Sequence, residues 1–464
     1  MVINNSDIEG VVYGGYAGEE DTPAEANNNT ITIAGNSNLG SADLYGRNDE
    51  AEGTGNSLII DGFSNENKAV NSLNNFDSIE IKALANREYN SKDEVIVITA
   101  GKVQNCYIDT TQTAYIGVAR KAEGTIEVIN NEQNIVDEDG KITDINSSTD
   151  IKFTIENIKA AEQTAITTEA RAGVTAFVNQ GAEVVADNLN MLSQSEEGIN
   201  TFATVSGNNN KYDTGSYVDI NGWNTVIGIA NTKNIGSDKL NYGAFFENGS
   251  GNYNTFNNFD GNAFRGDGNI VYNGGGVVFR FDKADGLYTE AAVRAGSVKN
   301  EVSNALSTGN STCGYKTENA YYGGHIGIGK IFKLDNGKVW DVYGKYFYMH
   351  HEDDSVLIGQ DTFDFESVDS NKLRIGARFS EQQGEKLTSY YGLAWDYEFS
   401  GDVKGTAAGY DMHTPSLEGS TVIGEVGFRY TPGKESPWYF DANVKGYVGM
   451  QEGLSGSVQA VYSF

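Results

Sequence analysis

From Gly198 to Phe464, apolar and polar side chains alternate in one segment after another. A period of two marks strands, whose successive side chains point to opposite faces. In the closing segment Leu454, Gly456, Val458, Ala460, Tyr462 and Phe464 share one face, and Ser455, Ser457, Gln459, Val461 and Ser463 the other. An apolar face ending in aromatics, backed by small and polar residues, suits a strand between lipid and a wet lumen. The edge strand of a soluble sandwich would alternate in the same way. None of the 4 prolines lies between Pro23 and Pro415, so long ladders of backbone donors stay unbroken.

The pattern predicts twelve strands after Gly198, at 199-208, 216-230, 238-250, 269-282, 286-299, 316-332, 338-350, 371-381, 387-399, 419-431, 437-449 and 453-464. Tight turns are expected at Asp285-Gly286, Asn336-Gly337 and Glu452-Gly453, and longer polar connections at 251-267, 300-315, 351-370 and 400-418. Short turns tending to alternate with long loops belong to a barrel with one periplasmic and one external rim. Leu373, Ile375, Ala377 and Phe379 alternate with Lys372, Arg374, Gly376 and Arg378, while Tyr391, Leu393, Trp395, Tyr397 and Phe399 alternate with Tyr390, Gly392, Ala394, Asp396 and Glu398. Alternation alone does not say which face is wet. Twelve strands, aromatic-rich ends, long loops and a terminal aromatic favour a membrane barrel over a sandwich.

Residues 1-155 read differently, rich in Asn, Gly, Asp and Ser, with short β-prone runs at Asn29-Ile33, Ser57-Ile60, Ser78-Ile81 and Val95-Ile98. Their recurrence at roughly 16 to 28 residues suits the rungs of a β-solenoid, each coil burying its apolar face against its neighbours. A disordered acidic segment is the alternative. From about Ile158 to Leu192 the pattern turns helical, with Ile166, Val174, Phe177, Val178, Val185, Leu189 and Leu192 recurring three or four apart. A helix of about 50 Å would run through a membrane pore, and its small and polar side chains suit a watery lumen. Gly173 and Gly181 are places where it could break. The expected division is therefore 1-155 solenoid-like, 156-197 helix and 198-464 barrel.

Composition narrows the function classes. A formal charge of -31 sets the chain against nucleic acid, whose phosphates it would repel. No apolar run reaches the 18 or so residues of a membrane helix, so only a closed barrel could span a bilayer. Cys106 and Cys313 stand far apart without metal spacing, which disfavours a disulfide framework. Met1 to Asp7 contain neither a basic nor an apolar region of the kind that directs export. Either the chain is a truncated or mis-started gene product, or the membrane reading is wrong.

Residues 198-464 resemble the β-domain of type V secretion autotransporters. The likeness runs through Asn224-Thr225-Val226-Ile227-Gly228-Ile229-Ala230, Gly286-Leu287-Tyr288-Thr289-Glu290, Tyr343-Gly344-Lys345-Tyr346-Phe347, Tyr391-Gly392-Leu393-Ala394-Trp395-Asp396-Tyr397 and the close from Gly453 to Phe464. It lies in the order of these segments, the preceding helix and the ending. The resemblance implies a mainly β protein: a twelve-stranded transmembrane β-barrel, a helix in its lumen, and a β-solenoid-like passenger ahead of it. It implies an outer-membrane location with the passenger at the cell surface. Its partners would be outer-membrane lipid and the barrel-assembly machinery, which would read Val458, Ala460, Tyr462 and Phe464. The passenger is shorter than the family pattern. Some family members cut their own helix at an Asn pair, which Asn188-Leu189-Asn190 only approximates.

Chemistry is sparse. The histidines are His325, His350, His351 and His413, so residues 1-324 lack an imidazole and a Ser-His-Asp or Cys-His passenger enzyme is not expected. His350-His351-Glu352-Asp353-Asp354 has metal-binding residue types, yet reads better as a solvated loop. Gly274-Gly275-Gly276 lacks the following helix and Lys of a phosphate loop and reads as a strand bend or close backbone contact. No catalytic, cofactor or metal residue is assigned. The charges expected to line the pore are Arg280, Glu290, Arg294, Asp341, Lys345, Arg374, Arg378, Asp396, Glu398, Glu425, Arg429, Asp441 and Lys445; they could pair across strands and hold the helix. The functional expectation is a translocator that exports or displays its own N-terminal segment, with a passive porin or an adhesin binding host or matrix surfaces as alternatives.

Overall fold

Branched aliphatic side chains stack the N-terminal segment into coils. In the computed structural model, which describes residues 1–17, 25–259, 261–308, 311–334, 337–433 and 436–464, Val2–Asn4, Thr30–Ala34, Ser57–Asp61 and the second half of Ala69–Leu84 run parallel. Their register places Ile3, Ile33, Ile60 and Ile81 in one buried column. A second parallel stack, Asp7–Gly15, Asn38–Arg47, the first half of Ala69–Leu84 and Glu94–Ile108, aligns Val12, Leu44, Leu73 and Val103 against the first. Each strand buries alternate residues on one side, so a coil alone would expose its apolar face.

The last coil departs from expectation. Val95–Ile98 does not continue the parallel column; it pairs antiparallel with Thr149–Thr154, which also pairs antiparallel with Arg120–Asn130. The sheet thereby ends in a different pairing mode, with Ile151, Phe153 and Ile155 buried under it. Ile158, Lys159 and Ala160 belong to this strand, opposite Ala122, Lys121 and Arg120, so the helix starts later than residue 158. β-branched residues and a free strand edge outweigh helix propensity there.

The helix, α1, spans Ala165–Leu192, preceded by a single 3₁₀ turn at Glu162–Thr164. Its 28 residues make it about 42 Å long rather than 50 Å. Gly173 and Gly181 lie inside it without interrupting it.

Twelve antiparallel strands then close into a barrel, from Gly198–Asp213 to Gln451–Ser463, sealed where the first meets the last through pairs such as Val205 with Val458. The polar connections hold more structure than their composition suggests. Asp238–Phe259 and Asn262–Asp282 pair up to residue 262, and Leu287–Thr308 and Ser311–Lys333 form a similarly long hairpin, so 251-267 and 300-315 are strand extensions rather than loops. Residues 260, 309 and 310 at their tips, and Asn336 of the expected Asn336-Gly337 turn, lie outside the described residues. Within 351-370 and 400-418, the strands Asp354–Ile358, Asp361–Phe365, Gly405–Ala407 and Tyr410–Asp411 build a separate four-stranded sheet. The last hairpin turns at Gly449 and Met450, not at Glu452-Gly453; Gly453 sits within the final strand at φ +133°.

Exposure decides which face is wet. Ile375, Tyr391, Leu393, Trp395, Val426, Phe428, Val444, Leu454 and Val458 are exposed on the outer wall, while the charged residues between them are buried inside. Trp340 and Tyr348 occupy opposite ends of one strand's apolar band, eight residues and about 20 Å apart along the axis, which matches the outward band of a membrane barrel. With ring closure and the apolar side outward, a sandwich is excluded.

Candidate functional site: the occupied lumen

A barrel of twelve strands leaves a bore, and here α1 fills it. The helix is buried on nearly every side. Val185, Leu189 and Leu192 pack with Phe202, Val226, Phe245 and Val461 on one wall. Small residues permit the approach: a Cβ on Gly181 would stand 2.2 Å from Tyr272 Oη, and one on wall residue Gly222 2.9 Å from the Phe177 ring. The apolar stripe and the two glycines face strands that are themselves thinned by glycine.

The opposite wall is ionic. Arg374 forms a two-bond fork with Asp396, 2.7 Å on each arm, and Arg378 a similar fork with Glu425 at 2.8–3.0 Å. Arg429 lies 3.1 Å from Asp441, which also accepts a bond from Tyr390 at 2.8 Å. Glu290 gathers Arg280 at 3.1 Å, Lys345 at 2.5 Å and His325 at 3.6 Å. Paired guanidinium and carboxylate groups in fork geometry combine strength with fixed orientation. Asp341 accepts from Tyr288 at 3.0 Å, and Glu398 accepts from Ser370 and the Asn371 N–H. Among the thirteen charges singled out in the sequence, eleven are buried in the lumen and Asp341 and Arg429 are half-buried.

Several wall residues grip the helix directly. Glu183 of α1 meets Lys372 at 2.5 Å and Arg374 at 3.0 Å, and Asp187 meets Lys445 at 2.5 Å. Arg294 donates to the Val178 carbonyl at 2.9 Å while paired with Glu247 at 2.8 Å, and Arg280 donates to Asn190 at 3.0 Å. At the loop end, Arg171 donates to the carbonyls of Glu352 and Glu366. Sequence reasoning missed Glu183, Asp187, Arg171 and Glu247. A signal existed for two of them: Glu183 and Asp187 stand four apart, on one helical face, opposite a strand carrying Lys372, Arg374 and Arg378.

Other candidates fall into place. Val458 and Phe464 are exposed on the lipid side, with Ala460 and Tyr462 half-buried beside them; Tyr462 is edge-on to Trp438 and Phe464, each at 4.9 Å. His350 and His351 end a strand instead of entering a solvated loop. They face opposite ways, His350 toward Asp369 at 2.9 Å and His351 toward Thr175 at 3.2 Å, so they cannot share one ion. Gly274 and Gly276 lie in mid-strand where a Cβ would strike Tyr321 Oη and the Val293 carbonyl, a close contact and not a phosphate cradle. Asn188 Oδ1 accepts from Thr204 and Gln459, and its amide donates to the Val184 carbonyl.

A closed barrel with a lipid-facing apolar band, an ionic interior and a resident helix defines an outer-membrane barrel with an occupied pore. The sequence profile of the autotransporter beta-domain matches residues 200–443, and the chain belongs to that family of type V secretion proteins. Among solved structures, it is similar to the beta domain of the Bordetella autotransporter BrkA, at 15% identity over 58% of this chain and 100% of that one, TM-score 0.45. It is also similar to the translocator domain of NalP from Neisseria meningitidis, at 15% identity over 65% and 99%, TM-score 0.49. The transport unit of AIDA-I from Escherichia coli is similar at 11% identity over 61% and 99%, TM-score 0.45. No curated protein matches the sequence.

Proposed function

We propose that the barrel exports its own N-terminal segment and displays it at the cell surface, without cofactor and without catalysis by the passenger. One observation carries this reading. The chain leaves the solenoid at Ala160 beside the external loops, runs down the bore as α1 and emerges at Gly198 at the opposite rim. The segment ahead of the helix therefore stands on the loop side, and the chain's path connects the two sides through the pore.

The absence of histidine from residues 1–324 argues against a Ser-His-Asp or Cys-His passenger enzyme. A porin reading meets a filled lumen, where the spaces beside the helix are about 20 Å³ each, little more than one water. Val458, Ala460, Tyr462 and Phe464 share the lipid-facing side at the close of the chain, which supports reading them as the row that the assembly machinery would recognise. The test is protease added to intact cells: residues 1–155 should be digested while the barrel survives, and a fully protected segment would reject export. Cells carrying Phe464→Ala should insert less barrel into the membrane.

A further inference from the structure

The solenoid meets the barrel rim at the turn joining Thr111–Ile116 to Arg120–Asn130. Gly117 has φ +65°, and after it the N–H groups of Val118 and Ala119 converge on one oxygen of Asp361, at 2.8 and 3.2 Å. Successive backbone N–H groups of this kind form an anion-binding concavity. The other oxygen of Asp361 lies 3.7 Å from Arg120, and both side chains are only 4% exposed. Arg120 is held in place by Asn86 at 2.9 Å and Glu88 at 3.3 Å. Asp361 belongs to the four-stranded sheet built from the external connections, so the carboxylate comes from the barrel and the concavity from the solenoid.

A second clamp lies alongside. Gln163 donates to the Val118 carbonyl at 2.9 Å and the Ser307 carbonyl at 3.1 Å, and accepts from the Ser307 N–H at 2.9 Å. Val118 and Ala119 are buried among Ile166 of α1 and Ile358, Phe363, Val403 and Met412 of the external connections.

We propose that the external sheet is a docking surface whose partner is the folded base of the passenger, with Asp361 recognising the Gly117–Arg120 turn. The surface locks the solenoid to the rim as a fixed extension of the barrel, in place of a body on a loose tether. The site has a timing property, which rests on the export reading. Two N–H groups converge on the carboxylate only once Gly117 has taken its positive φ, so an extended chain in transit cannot satisfy Asp361. The latch closes only on the folded turn.

Hydrogen exchange on the purified full chain in detergent tests the latch independently of export. Asp361→Ala should raise exchange at the Val118 and Ala119 amides by about tenfold or more, because buried charge-assisted bonds are lost, while the barrel keeps its heat-modifiable mobility. Trypsin should then cut after Arg120 at least about tenfold faster. Unchanged exchange at these two amides in a folded barrel overturns the proposal. Should Asp361→Ala fail to fold, Asp361→Asn, which keeps the shape and loses the charge, gives the same reading, with faster exchange expected at Val118 and Ala119 and unchanged rates overturning it. Protease protection of the passenger on whole cells would sink the export reading and leave this result standing.

Discussion

Glu183 of the plug helix and Arg374 of the wall meet at 3.0 Å, with both side chains less than a tenth exposed. The same guanidinium forks onto Asp396, so one wall residue organises both the barrel's own sheet and its contents. Removing it leaves two buried carboxylates short of a partner. Arg374→Met should lower stability by about 3–5 kcal/mol, the cost of breaking a buried pair from one side. Denaturant unfolding of the full chain in micelles measures this, and a loss below about 1 kcal/mol would mean that water reaches the pair.

Gly181 allows the helix its seat against Tyr272. Gly181→Val should cost about 1–3 kcal/mol by overpacking and loosen the plug. Planar-bilayer recordings of the folded variant should show more frequent openings than the parent, and an unchanged closed trace would place the tight contact elsewhere.

The outer wall answers differently from the inner. Ile375 is half exposed on the lipid face between Leu373 and Ala377. Ile375→Arg should destabilise the inserted barrel by about 2–4 kcal/mol, as a cation near the bilayer midplane does. Comparing unfolding in vesicles with unfolding in micelles should give the larger loss in vesicles.

Cys106 lies in the solenoid core, and burial pushes its thiol from the ordinary 9.0 up to about 12. A raised folded value means that the fold favours the protonated form. That preference contributes its full stabilisation below pH about 9 and is lost as pH climbs through about 12. Cys106→Ala should flatten the alkaline loss of solenoid stability between those limits, followed by circular dichroism. In the native chain, a maleimide should label the half-buried Cys313 well before Cys106.

The barrel was legible because lipid imposes one rule on every strand: Ile375, Leu393 and Val444 must face out, so parity fixes their neighbours inward. The same parity picked out Arg374 and Asp396. Boundaries were less legible. Asn252, Asn254 and Asn257 look like loop residues, yet they lie in long hairpins whose backbone pairing continues above the membrane, where no apolar face is demanded. Ile158–Ala160 were assigned to the helix because their fate depends on an edge more than thirty residues earlier, at Arg120–Ala122. Asp361 was invisible for a related reason. Its partners are backbone N–H groups over two hundred residues away, and no side-chain pattern announces a turn's concavity.

The spaces beside the helix, about 20 Å³ each, leave no width for a second polypeptide. If the passenger leaves through this bore, as proposed, a strand in transit and the resident helix exclude one another in time. On the proposed export reading, a copy with α1 in its bore has finished its single journey, and the ion pairs that grip Glu183 and Asp187 serve as the record of arrival.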